Sequence, residues 1–180
     1  MQKRYCLLLL LLMQLAVAWS QEDRVVWAPD SLTWSDFRAS VPADSPYYAT
    51  INTGMSMQAS ATQRENELDV QITVIADMVP SQSWYRKGEV TDRILAHEQI
   101  HFDITEYHAR VLQQRIDEYL KDPGAINLIQ NEVDAIFMDQ EALRQEMQDA
   151  YDHETDHSKN LAAQKVWDAR VARLLESTMD

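Results

Sequence analysis

Two histidines and a glutamate carry the most specific chemistry in this sequence. They lie in His97-Glu98-Gln99-Ile100-His101, an H-E-x-x-H string. On a helix, a four-residue spacing puts both imidazoles on one face, about one turn apart. Both can then bind a single Zn²⁺, and Glu98 sits beside the open coordination position, where it can take a proton from water activated by the ion. A catalytic zinc site uses three protein ligands plus water, so a third donor is needed.

All five histidines fall between His97 and His157. His108 lies seven residues past His101, about 10 Å along a helix axis at 1.5 Å per residue. No glycine in Phe102–Tyr107 would break the helix and bring it back, so His108 reads as a surface or supporting residue. Glu132 follows His101 by 31 residues on the next expected helix and is one candidate. The segment Tyr151-Asp152-His153-Glu154-Thr155-Asp156-His157 is polar and non-periodic. As a loop folded back over the first helix, it would offer His153 or His157.

The elements that position these groups follow from pattern. Met1–Ser20 has a basic start, an apolar stretch over Cys6–Val17 and small residues at Ala16-Val17-Ala18, the layout of a secretory signal too short to span a membrane. Residues 21–180 then form one domain, exported to the periplasm or beyond. The single cysteine, Cys6, leaves with the signal, so packing must supply the stability, with any bound metal adding to it. The formal charge of −13 becomes −15 once Lys3 and Arg4 are removed, which argues against nucleic acid and anionic membranes as partners.

Val25-Val26-Trp27 suits a short first strand, and Ser31 or Ser35 could start a helical turn in which Trp34 and Phe37 pack together. Tyr47–Ala61 looks extended. Leu68, Val70, Ile72, Val74 and Ala76 alternate with more polar neighbours, the period-two mark of a half-buried strand. Three helices follow, over Thr91–Leu120, Ala125–Asp149 and Leu161–Ser177, the first stopped by Asp122-Pro123-Gly124. The expected class is α+β: a small antiparallel sheet in the N-terminal half, then three helices, with the H-E-x-x-H string on the first.

Trp34-Ser35-Asp36-Phe37, the string His97–Glu106 and Tyr151-Asp152-x-x-Thr155-x-His157 together resemble the bacterial domain-of-unknown-function 922 family, described as predicted secreted zinc-dependent proteases. The resemblance runs from about Trp34 to Trp167 and implies a zincin-like metallopeptidase, in which a sheet leads into the active helix and its edge strand can hold extended substrate. It implies His157 as the third zinc ligand beside His97 and His101, and Glu98 as general base. Tyr151 is a candidate donor to the developing oxyanion. Asp103, Glu106, Asp152 or Asp156 could hold the outer ring nitrogens. The family often has a glycine where this chain has Ser158. The substrate would be a peptide or protein. The alternative is a non-catalytic zinc-binding envelope protein that uses the same histidines for structure or partner binding.

Overall fold

A computed structural model of the chain describes residues 23–64, 67–122, 124 and 129–179. The expected export signal and the expected start of the second helix at Ala125 lie outside the described residues. Among these described residues, five strands come first: β1 (Val25–Val26), β2 (Ala49–Thr50), β3 (Thr53–Arg64), β4 (Glu67–Met78) and β5 (Trp84–Tyr85). Three helices follow: α1 (Asp92–Leu120), α2 (Ile129–Thr155) and α3 (Leu161–Glu176). The class is α+β with small antiparallel sheets ahead of three helices, as the patterning indicates.

Strands β3 and β4 pair from Thr53↔Met78 to Arg64↔Glu67, and β1 adds to the other edge of β4. This register puts Met55, Met57 and Ala59 on the same face as Ala76, Val74 and Ile72. That face covers α1, where Phe102, Ala109, Leu112 and Ile116 form the main core with Met55, Ala76 and Met78. Beyond β1, the outer edge of β4 is met by a side chain: Gln113 of α1 accepts from the Val74 amide (2.8 Å) and donates to the Ile72 carbonyl (2.9 Å).

The opposite side of α1 presents Ile104 to Tyr151, Trp167 and Val171, so α2 and α3 pack there around a second apolar centre. α1 is thus covered by the sheet on one side and by two helices on the other. Near β1, the short turn Trp34–Asp36 is entered at Thr33, whose amide donates to Asp36 (2.8 Å). Trp34 and Phe37 pack at 5.2 Å between centroids, and Trp34 also stacks on Tyr85. β2 and β5 form a second, two-stranded ladder, and its β2 end faces α1.

One boundary differs from expectation. Tyr151–Thr155 is the last turn of α2, not a loop. The residues that α2 buries there are Gln140, Arg144, Gln148, Tyr151 and Thr155, spaced by four or three. That is a helical stripe of mostly polar side chains, which apolar periodicity does not detect.

Candidate metal centre

α1 delivers His97 and His101 side by side, their rings 4.9 Å apart and nearly perpendicular. The last turn of α2 delivers Asp152 between them. Its Oδ1 lies 3.1 Å from Nε2 of His97 and 3.1 Å from Nε2 of His101. These three ligand atoms lie within 4.8 Å of one another, the one such group among the described residues. Four donors at 2.0–2.1 Å around a tetrahedral ion are about 3.3 Å apart. The observed spacings therefore suit a shared divalent cation.

The outer nitrogens of both rings are held. Gln164 donates to the Tyr151 hydroxyl (2.7 Å) and to Asp168 (2.8 Å), so its amide oxygen faces Nδ1 of His97 at 3.1 Å as an acceptor. Gln148 donates to the His101 carbonyl and to Thr105, which turns its oxygen toward Nδ1 of His101 at 2.5 Å. Each Nδ1 then carries the proton and each Nε2 offers its lone pair toward the ion seat. The residue types differ from expectation: two glutamine amides do the work anticipated for carboxylates. Asp103 instead accepts from Trp27 and Gln99, Glu106 pairs with Arg110, and Asp156 pairs with Lys159.

Tyr151 is fully buried behind the imidazoles. Its ring stacks on His97 at 4.6 Å and meets His101 edge-on at 4.8 Å. Its hydroxyl donates to the His97 carbonyl at 3.2 Å, and burial raises its pKa. A hydroxyl so committed positions the first histidine; it does not face the cleft as an oxyanion donor would.

His157 follows on a turn in which Asp156, His157 and Ser158 all have positive φ (46°, 48° and 73°). The turn brings Nδ1 of His157 to 3.2 Å from the same Asp152 oxygen and sets its ring 4.5 Å from that of Tyr47. The histidine therefore joins the cluster through Asp152, outside the three-atom group. The other candidates are elsewhere. Glu132 is exposed near the start of α2, twenty residues before Asp152, about 30 Å along the helix. His153 is exposed, and His108 is buried against Gln140.

Without an ion, the charges compensate one another. Burial disfavours the Asp152 carboxylate, but hydrogen bonds from His101 and His97 outweigh it and hold the group well below the usual carboxylate range. His101 shows the reverse balance: burial lowers its pKa, and Asp152 raises it further than burial lowers it. Glu98 is 4% exposed and stands next to the cluster. Burial raises its pKa against the opposing pull of both histidines, and its Oε2 accepts from the Ile51 amide at 3.0 Å. These groups line a cleft of about 220 Å³ whose far wall is the chain from Pro46 to Ile51.

A family model for bacterial proteins of unknown function, DUF922, matches residues 31–158. The chain belongs to that family. The DUF922 match takes in β2, the hairpin, α1, α2 and the His157 turn, so His97, Glu98, His101, Asp152 and His157 are all inside it, whereas Gln164 of α3 falls beyond its end. No curated protein and no solved structure matches the chain. Among the described residues, no helix is long and apolar enough to cross a membrane.

Proposed function

We propose that the protein is an exported zinc-dependent peptidase. The zinc seat would be His97, His101 and Asp152, with His157, whose Nδ1 lies 3.2 Å from the same Asp152 oxygen, as a further ligand. Imidazole and carboxylate donors suit zinc, and both imidazoles have their outer nitrogens fixed. A bound zinc ion would supply Lewis acidity, polarising a carbonyl and acidifying water.

The observation that carries the reading is Glu98. It is buried at the cleft wall beside the ligand atoms but outside their group, with one oxygen anchored by the Ile51 amide. A site serving structure alone has no use for a carboxylate held off the ion and facing a cleft. As general base, Glu98 takes a proton from water and passes it to the departing amine; its raised pKa suits both halves of that transfer. Tyr151 and the two glutamines keep the imidazoles in register. The end of β2 beside Glu98 lies where an extended peptide could align.

The test is direct. Purified protein should hold about one zinc per chain by elemental analysis, and His97→Ala or Asp152→Ala should lower that content. His157→Ala tests the further donor, since unchanged occupancy would leave it as a support for Asp152 alone. Glu98→Gln should keep the zinc and lose peptide hydrolysis by at least about 100-fold, the usual weight of a general base. Zinc binding with no hydrolysis of any peptide by the wild-type protein would favour the non-catalytic reading.

A further inference from the structure

The cleft has two unlike sides. The polar side is the histidine and carboxylate cluster with Glu98. The other is mostly apolar, made by Pro46, Tyr47, Tyr48, Ala49, Thr50 and Ile51, and Ile94 of α1 also lines the cleft. Tyr47 and Tyr48 are 40% and 46% exposed, although aromatic rings usually gain most by burial.

Their backbone is not loose. Arg86 binds this segment at three points: its Nε donates to the Tyr47 carbonyl (2.9 Å), its Nη2 to the Ser45 carbonyl (2.6 Å), and its amide to the Tyr48 carbonyl (2.8 Å). The ladder Ala49↔Tyr85 and Thr50↔Trp84 continues the restraint. Two part-exposed tyrosines on a fixed backbone, lining the same cleft as the histidine and carboxylate cluster, have already lost part of the freedom that binding would cost.

Building on the peptidase reading, we infer that this wall selects the substrate. The cleft takes peptides with a large apolar or aromatic side chain beside the scissile bond, and Tyr48 is the main determinant. Tyr47 also braces His157, so Tyr48 gives the cleaner test.

The experiment uses quenched fluorescent peptides that differ only in the residue flanking the cleaved bond. Zinc-loaded wild-type protein should prefer Phe or Leu to Gly by about tenfold or more in kcat/KM, a discrimination within reach of an apolar pocket. Tyr48→Ser should cut that ratio about tenfold, and Tyr48→Phe should retain it. Zinc content and melting temperature check that each variant folds. In parallel, calorimetry measures binding of the Phe and Gly peptides to zinc-loaded Glu98→Gln protein. Equal affinities there overturn the selection proposal even if the wild type hydrolyses peptides. Preferential binding of the Phe peptide with no turnover by the wild type sustains the selection and overturns the hydrolytic reading. If neither peptide binds and neither is cleaved, both fall.

Discussion

At the scale of single residues, the centre depends on two amides. Gln164 and Gln148 have their –NH₂ groups already engaged, so their oxygens can only accept, and this fixes the protonated nitrogen of each imidazole. Gln164→Leu should therefore weaken zinc affinity by roughly 10–100-fold, as loss of such outer partners does; competition against a chromophoric chelator would measure it, and unchanged affinity would show that His97 needs no such orientation. His108 makes a separate prediction. It is 5% exposed, burial lowers its pKa to about 4, and its Nδ1 receives the Gln140 amide. A histidine whose folded pKa is depressed contributes stability above its ordinary value of 6.5 and loses it as pH falls toward 4. The loss amounts to about 3 kcal/mol at most. His108→Asn, whose oxygen can replace Nδ1 as acceptor, should flatten the fall in melting temperature between pH 6.5 and pH 4 relative to wild type.

At the scale of elements, α1 was readable because its apolar residues, its H-E-x-x-H string and its Asp122-Pro123-Gly124 stop all agree. The β3–β4 hairpin was readable from the alternation through Val70, Ile72, Val74 and Ala76. The end of α2 was not. Its buried stripe, Gln140-Arg144-Gln148-Tyr151-Thr155, is polar in name, and Thr155 completes it by donating to the Tyr151 carbonyl at 2.6 Å. The spacing alone could have signalled a helix. It would also bring Asp152 onto a rigid element, beside the histidines rather than among the supporting carboxylates. Gln148 and Gln164 were invisible for a similar reason: glutamine on a helix has no signature until its partners are known. The left-handed turn after α2 was glimpsed only through Ser158. With φ at 73°, Ser158 carries a strain that glycine would not. Ser158→Gly should stabilise the protein by about 1 kcal/mol in chemical denaturation without reducing zinc content. A loss of stability would show that the serine side chain, 4% exposed, contributes more by packing than its conformation costs.

For the whole molecule, the candidate centre joins α1 to the far end of α2, so an ion there ties the sheet-backed helix to the helical pair. The pH dependence of that tie has a definite sign. His101 has a raised folded pKa, so its contribution is complete below its ordinary 6.5 and is lost as pH rises through the raised value. Glu98, also raised, loses its contribution in the same direction. Asp152, lowered, keeps its contribution at every pH above its ordinary 3.8. Metal-free protein should thus become less stable from pH 6 to pH 8, while zinc, which needs unprotonated imidazoles, stabilises more over that range. Melting curves with zinc and with EDTA should therefore diverge as pH increases; parallel curves would place the ion elsewhere. Gln113 bears on a different collective property. By presenting one acceptor and one donor to Val74 and Ile72, its amide imitates the neighbour that β4 lacks beyond β1 among the described residues. An open strand edge is a template on which a foreign strand can polymerise. A single side chain from α1 thus occupies that template, and Gln113→Ala should shorten the lag before fibrils form under mild heating.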